Sequence, residues 1–233
     1  MSKLLTHISI LLLSFAILVP AQAAKRYGET FCHDPDFTCI KIKSGQSWNN
    51  LFPDEYQRQV VKRLNRMNIR LRSGMTIAVP NNLASTDLLD ISPFPHAIDA
   101  TGKKMVVVDP GVMAWGAYDS YGNLVHWGPM SGGKNYCSDV KRGCRTVVGR
   151  FKFYHQRGPN CKSSKFPLGR GGAPMPYCMF FHGGFALHAS PVVPGYHASH
   201  GCVRIFKEDA KWMNEEFASF GGKDGTIVVV NPY

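Results

Sequence analysis

The residue types with the clearest chemical potential lie near the end of the chain, between His188 and Arg204. Cys202 is a candidate nucleophile, because a thiol becomes reactive when a nearby imidazole takes its proton. His188 ends a predicted strand and Cys202 begins another, so a loop could bring the two side chains together. Gly201 would let backbone amides turn towards a reacting carbonyl, and the planar fork of Arg204 suits a carboxylate. This pattern predicts attack on a carbonyl by a cysteine nucleophile.

Other interpretations remain open from the residue types alone. Zinc accepts imidazole and thiolate ligands, although the H-x-x-H-x-C spacing matches no structural zinc pattern. The four candidate ligands are His188, His197, His200 and Cys202. Cys202 could also be a disulfide partner. A papain-like protease is disfavoured, because its cysteine would lie near the mature N-terminus, whereas Cys202 lies near the C-terminus.

The elements that must position these residues are mostly short strands. Turn signals at 120–122 and 182–184 separate apolar runs and indicate hairpins. Strands are predicted at 105–109, 112–119, 123–129, 146–155, 178–181, 185–188 and 226–230. One helix is predicted after the motif and before Gly221-Gly222, from four apolar residues at helical spacing: Phe206, Ala210, Met213 and Phe217. An aromatic content of 12% with 18% charged residues excludes a mainly disordered chain.

A smaller module, residues 24–81, precedes this region and is called the N-terminal module below. Its pattern predicts a strand at 39–43, a short helix at 47–52, a second helix at 56–68 and a strand at 76–79. Residues 82–102 show no clear period and contain Pro93 and Pro95, so they are interpreted as a linker.

The string Ser199-His200-Gly201-Cys202-Val203-Arg204 resembles the catalytic signature of the L,D-transpeptidases, which cross-link peptidoglycan. Further similarity lies at 174–177, at 187–188 and at 208–210, and the resemblance spans about residues 103–233. It implies a mainly β catalytic domain, of β-sandwich type with one C-terminal helix, beside the small α/β N-terminal module. One departure is the short connection of residues 189–198 between His188 and Ser199.

The resemblance also implies a role for each matching residue. Cys202 would attack a stem-peptide carbonyl, with His188 as general base. The Ala189 carbonyl would orient His188, and His200 would shape the pocket or assist. The remaining implied site residues are Gly201 and Cys202, whose amides would hold the oxyanion, Arg204, which would bind a stem-peptide carboxylate, and Ser199 and Tyr177. The family needs no metal or other cofactor, and carbapenem β-lactams are expected to acylate Cys202.

The N-terminal module resembles a lysin-motif domain, which binds the glycan backbone of peptidoglycan. The similarity rests on Ser44-Gly45, on Leu64-Asn65 and on the run from Gly74 to Pro80. The alternative is a small capping subdomain that binds no ligand. The expected partners are therefore glycan strands and stem peptides. Alternatives for the whole protein are an L,D-carboxypeptidase or amidase that uses the same site, or a non-catalytic peptidoglycan-binding protein.

The first residues predict export. A short basic start, an apolar run and Ala21-Gln22-Ala23 indicate a secretory signal peptide at 1–23, with no integral membrane span and a periplasmic location. The formal net charge of +11 favours an anionic partner, and for an exported protein the cell wall or a membrane surface is favoured over nucleic acid. Oxidising conditions favour disulfides. With Cys202 set aside as nucleophile, nearest-neighbour pairing gives the hypothesis Cys32–Cys39, Cys137–Cys144 and Cys161–Cys178.

Overall fold

The computed structural model describes residues 25–233. The predicted signal peptide at 1–23 lies outside these residues. Within the described range, no helix has both the length and the apolar character needed to cross a bilayer.

The N-terminal module has the predicted order of strand, helix, helix and strand after a 3₁₀ helix at Tyr27–His33. Strand β1 (Phe37–Lys41) pairs antiparallel with β2 (Thr76–Pro80), and helices α1 (Trp48–Leu51) and α2 (Glu55–Leu64) lie between them. Side-chain caps fix both helix starts, because Ser47 accepts the Asn50 amide and Asp54 accepts the Gln57 amide. A small core joins these elements; its fully buried members include Val61, Met67, Leu71 and Ile77.

Helix α2 ends at Leu64, four residues before the predicted end. Arg66 has a φ of 53°, a left-handed conformation that a helix cannot continue through. The buried Asn65 amide also binds backbone groups instead of solvent: it donates to the Val61 and Ala78 carbonyls and accepts the Ala78 amide. Asn65 therefore joins the end of α2 to strand β2, and the chain beyond it leaves the helix.

Nine strands form the sheet of the larger region, which is mainly β as predicted. They are β3 (Met105–Asp109), β4 (Ala114–Tyr118), β5 (Leu124–Ser131), β6 (Gly149–Lys152), β7 (His155–Gln156), β8 (Met179–His182), β9 (Phe185–Ala189), β10 (Val203–Ile205) and β11 (Ile227–Val230). Their order is β6-β11-β3-β4-β5-β10-β9-β8-β7. The pairs β9–β10 and β3–β11 are parallel, and the others are antiparallel.

The sheet curls around one hydrophobic core, so that its two halves face each other. Fully buried residues from both halves meet there, including Val106, Trp115, Met179, Leu187, Val203 and Val228. The strand predicted at 146–155 is wrong in extent, because it divides into β6 and β7. The Phe153 amide donates to Thr226 and the Tyr154 amide to Phe180, so the chain crosses from one half of the sheet to the other at this point.

The helix after β10 begins at Lys207 and ends earlier than predicted. Helix α3 (Lys207–Trp212) continues into a π-helical turn at Met213–Phe217, and Ala218 is extended. All four residues of the predicted apolar stripe are buried. The hydrophobic pattern of this helix therefore predicted its buried face correctly, whereas Gly221-Gly222 does not mark the end of the helix.

The predicted linker at 82–102 lies against the sheet. Phe94 packs in a second core cluster with Tyr118 and Trp127. The Trp127 indole donates to the Leu88 carbonyl at 2.6 Å, and the Leu124 amide donates to the His96 carbonyl at 2.8 Å. Apart from a 3₁₀ helix at Leu83–Ser85, the segment forms no helix or strand, and it covers one face of the β region.

Candidate active site

The pairing of β9 with β10 places His188 opposite Arg204 in the parallel register. Cys202 directly precedes β10, two residues before Arg204. Leu187 on β9 and Val203 on β10, which are also paired, point into the core and are fully buried. The sheet register therefore places the predicted base on the strand next to the one that the predicted nucleophile leads into.

One hydrogen bond, at Nδ1, holds His188 in one tautomer. His188 is 6% exposed, and its Nδ1 lies 2.8 Å from the Ala189 carbonyl oxygen. A carbonyl only accepts, so Nδ1 carries the proton and Nε2 of the neutral ring carries a lone pair. The orientation that the sequence analysis expected from the Ala189 carbonyl is present. The free Nε2 can accept a proton.

The charge states of the base and the thiol follow from their surroundings. Burial lowers the pKa of His188 to about 4; the Ala189 hydrogen bond raises it, and the Arg204 charge lowers it further. Burial also raises the pKa of the Cys202 thiol, against a hydrogen bond from the Ala186 backbone and the Arg204 charge, which lower it. At neutral pH both groups are therefore uncharged. The arrangement suits proton transfer to His188 during attack, in place of a resting thiolate–imidazolium pair.

The turn at Ser199–Cys202 has a conformation that its residues specify. Gly201 has a φ of 129°, and a Cβ at this position would lie 2.7 Å from Cε1 of Phe185. The hydroxyl of the buried Ser199 donates to the Cys202 carbonyl at 2.5 Å and accepts the Gly201 amide at 3.0 Å. The Gly201 amide, which the resemblance assigned to the oxyanion, is thus bound to Ser199 here. Ser199 shapes the turn.

A second set of hydrogen bonds fixes this turn from behind. Thr146 Oγ1 donates to the Gly201 carbonyl at 2.8 Å and accepts the Gly133 amide at 3.1 Å. The Tyr233 hydroxyl accepts the Thr146 amide and donates to the Gly133 carbonyl, both at 2.9 Å. Sequence reasoning missed Thr146 and Tyr233, because neither lies near the motif in the chain or in a recognisable pattern. The half-buried Cys202 at the end of the turn directs its thiol towards the Gly184 carbonyl, 3.7 Å away.

His200 lies at the edge of the site and pairs with an acidic residue. Its Nε2 is 2.7 Å from Oδ2 of Asp139, and its ring lies 4.5 Å from the Phe166 ring. Asp139 belongs to the loop closed by the Cys137–Cys144 disulfide. The sequence signal for this pair was an acidic residue, Asp139, within the short loop between Cys137 and Cys144. His200 is thus held between Asp139 and Phe166.

His197 has a structural role that leaves no ring nitrogen for a metal. Its Nδ1 accepts the Gly132 amide and its Nε2 lies 3.1 Å from the Pro110 carbonyl oxygen. Within residues 25–233, the side chains closest to a metal-binding arrangement are Cys137, Asp139 and His200, but the Cys137 sulfur is in a disulfide. These contacts argue against the zinc interpretation of the motif.

Tyr177, the last predicted site residue, lies in the core. It is 7% exposed and packs in the main hydrophobic cluster beside Ala189. Its φ of 55° is unusual for a residue with a side chain. The neighbouring Pro176 carbonyl accepts the Ala189 amide at 2.8 Å. These positions favour a packing role for Tyr177 behind the histidine strand over contact with a substrate.

All seven cysteines lie in the described part of the chain, and their pairing is the predicted one. Disulfides join Cys32 to Cys39, Cys137 to Cys144 and Cys161 to Cys178. Cys202 is the one free cysteine. The pairing leaves a single thiol, and it is the thiol of the motif.

The YkuD family model, which describes the L,D-transpeptidase catalytic domain, matches residues 98–230. The chain belongs to this family. No protein of curated function matches the chain.

Several solved L,D-transpeptidases are similar to the chain. The structure of residues 123–326 of an L,D-transpeptidase from Xylanimonas cellulosilytica has 26% sequence identity and a TM-score of 0.51; the match covers 69% of this chain and 74% of that one. An L,D-transpeptidase from Stackebrandtia nassauensis has 17% identity and a TM-score of 0.47, over 84% of this chain and 97% of that one. L,D-transpeptidase 3 from Mycobacterium tuberculosis, with a faropenem-derived adduct, has 19% identity and a TM-score of 0.44, over 55% and 60%.

Proposed function

We propose that this protein is an exported L,D-transpeptidase that cross-links or remodels peptidoglycan in the periplasm through a thioester on Cys202. The observations that support it most directly are the single free thiol in the motif and a histidine in one fixed tautomer on the neighbouring strand. The Ala189 carbonyl leaves His188 Nε2 free, and Cys202 directly precedes β10, which pairs with the His188 strand. Membership of the L,D-transpeptidase family supplies the substrate class.

The first half-reaction would form the thioester. Cys202 Sγ attacks the carbonyl that joins the L-centre of a diamino acid to the terminal D-alanine, and its proton passes to His188 Nε2. The backbone amide of Cys202 would donate to the tetrahedral oxyanion. On collapse, the bond to D-alanine breaks and His188 returns the proton to the leaving amine. The products are a Cys202 thioester and free D-alanine.

The second half-reaction would transfer the acyl group. The amine of a second stem peptide attacks the thioester and loses a proton to His188, which then protonates the departing Cys202 sulfur. Water in place of the amine would make the same site a carboxypeptidase. The half-buried Arg204 lies opposite His188 on β10 and would bind a stem-peptide carboxylate with its planar guanidinium. His200, held by Asp139, would bound the pocket on another side.

The N-terminal module would bind the glycan strand. Its strand-helix-helix-strand order and its central Asn65 are compatible with a lysin-motif domain. The proposed boundaries are a signal peptide at 1–23, the N-terminal module at 24–81, a connection at 82–102 and the catalytic domain at 103–233. The net charge of +11 suits an acidic wall polymer.

The decisive experiment is intact mass spectrometry after incubation with a carbapenem. We expect one adduct on the wild-type protein, none on Cys202→Ala, and a strongly slowed reaction for His188→Ala. His155→Ala is the matched control, because His155 is an exposed histidine on β7. Incubation with a tetrapeptide substrate then separates cross-linked dimer from tripeptide. If Cys202→Ala still cross-links stem peptides, the mechanism is wrong; an inert wild-type protein would favour a non-catalytic wall-binding role.

A further inference from the structure

The connection between the two halves of the active site is held by the N-terminal module. Residues 190–198 join the His188-Ala189 strand end to Ser199, and they are called the connecting segment here. The Tyr27 amide donates to the Gly195 carbonyl at 2.8 Å, and Met67 forms a β-bridge with Pro194. The short connection noted in the sequence therefore packs on the end of α2 and does not form a free lid.

Asn68 makes the most concentrated contact between the module and this segment. Its side-chain amide donates to the Ser190 carbonyl at 2.8 Å, and its Oδ1 accepts the Val193 amide at 2.9 Å. Its own backbone amide donates to the Val193 carbonyl at 3.0 Å. One half-buried residue thus satisfies three backbone groups of the connecting segment, all close to the catalytic strand.

These bonds lie next to the peptide group that orients the histidine. The carbonyl that holds His188 Nδ1 belongs to the Ala189–Ser190 peptide, whose amide donates to Ile205 on β10 at 3.0 Å. The Asn68 side-chain amide donates to the next carbonyl in the chain, that of Ser190. The Ala189–Ser190 peptide is therefore fixed by the sheet, and the Ser190–Pro191 peptide that follows it is held by Asn68 of the N-terminal module.

We propose that Asn68 is a positioning residue that keeps His188 directed at Cys202. The inference rests on the proposed function only in requiring that His188 serve as base to Cys202. It makes the N-terminal module part of the active-site framework, in addition to any glycan binding. Loss of the Asn68 amide would free the Ser190 carbonyl, loosen the Ala189 carbonyl and let the imidazole rotate.

Several charged groups near the Ala189–Ser190 peptide could influence the pH profiles in the test below. Arg204 faces His188 and Cys202 from the neighbouring strand. Lys62 of α2 and Lys207 and Glu208 of α3 line a cavity of about 200 Å³ beside Ala189 and Ser190. None of these four is changed in the variants below, and Asn68→Ala adds no titratable group, so its pH profile compares directly with that of the wild type.

The test is the rate of Cys202 alkylation by iodoacetamide in the full chain from about pH 6 to 9.5, measured by intact mass. A base contributes about 10²- to 10⁴-fold, so partial loss of its orientation in Asn68→Ala should lower the rate at pH 7 by about tenfold. The deficit should narrow as the pH rises towards the raised pKa of the Cys202 thiol, because hydroxide then removes the proton without the base. Asn68→Asp is nearly isosteric and should show the same defect, because it keeps an acceptor for Val193 but loses the donor to Ser190.

Asn81→Ala is the matched control. Asn81 also uses both ends of its amide, donating to Pro35 and accepting from Thr38 at 2.7 Å each, but within the N-terminal module. We expect it to leave the alkylation profile unchanged. An unchanged profile in both Asn68 variants, or an equal loss at every pH, would overturn the positioning role, since an equal loss indicates general destabilisation.

Failure of the proposed function has a different signature. If His188→Ala alkylates like the wild type at pH 7, His188 is no base and both proposals fall. If the profiles behave as expected but no stem peptide is processed, Asn68 still positions His188 and only the substrate assignment fails.

Discussion

The guanidinium of Arg63 forms two hydrogen bonds with the carboxylate of Asp209, at 2.9 and 2.6 Å, across 146 residues of sequence. Arg63 lies on α2 and Asp209 in the first turn of α3, and both side chains are almost fully buried. His126 adds a third contact to Asp209 at 3.1 Å. Burial would raise the pKa of Asp209, but the Arg63 charge and the His126 hydrogen bond lower it below its usual range. An ion pair therefore joins the N-terminal module to the helix that follows the catalytic motif.

Removing one partner of this pair should destabilise the protein strongly. Arg63→Met leaves the Asp209 carboxylate buried without its main partner, which typically costs about 3–5 kcal/mol of unfolding free energy. Lys211→Met is the control: the Lys211–Glu215 pair is exposed, with a separation of 3.9 Å, and such pairs contribute about 0–1 kcal/mol. Urea unfolding measures both. Equal midpoints for the two variants would contradict a structural role for the buried pair.

The same pair predicts a loss of stability in acid. Because the folded carboxyl has a lowered pKa, its stabilisation is present above the unfolded value, about 3.9, and is lost as pH falls through the folded value. Wild-type stability should therefore decline more steeply below about pH 4 than that of Asp209→Asn, which has no carboxyl to protonate. Unfolding free energies at several acidic pH values test this. Parallel curves for the two proteins would show that Asp209 does not contribute.

The candidate site could be recognised from the sequence because its motif is contiguous, whereas the framework around it could not. The residues of the motif around Cys202 are consecutive in the sequence, and each disulfide joins two cysteines that are neighbours in the sequence. By contrast, nothing in the sequence near Arg63 indicates a buried partner at Asp209, 146 residues away. The positive φ of Arg66, which ends α2, likewise depends on contacts with the distant Val112 carbonyl and Trp127 ring. Long-range partners of this kind leave no periodic pattern.

The pH dependence of acylation should report the environment of His188. With its pKa lowered to about 4, the imidazole stays neutral and able to accept a proton well below pH 6. An ordinary histidine, with a pKa of about 6.5, would lose about tenfold in its basic form between pH 7 and pH 5.5. We expect carbapenem acylation to fall by less than about twofold over this interval. A steep decline with a midpoint near 6.5, with the fold intact by circular dichroism, would contradict the assigned environment.

Gly201 should not tolerate a side chain. Gly201→Ala places a Cβ 2.7 Å from the Phe185 ring at a φ of 129°, so the Ser199–Cys202 turn must shift. Since Cys202 ends this turn, we expect acylation to fall by about 10²-fold or more, because a displacement of about 1 Å can have that effect. Gly158→Ala is the control, because a Cβ there meets open space. Equal acylation rates for the two variants would show that the turn geometry is not required.

The disulfide pairing predicts the number of reactive thiols. The native, non-reduced protein should react with one equivalent of a thiol reagent, at Cys202, while the six remaining cysteines are protected in three pairs. Cys202→Ala should then show none, and the reduced, denatured wild type should show seven. A native count of three would mean that one pair is open. If the open pair is Cys137–Cys144, Asp139 loses the closed loop that holds it against His200, and the active site could then differ. The thiols should therefore be counted on the same preparation that is used for acylation.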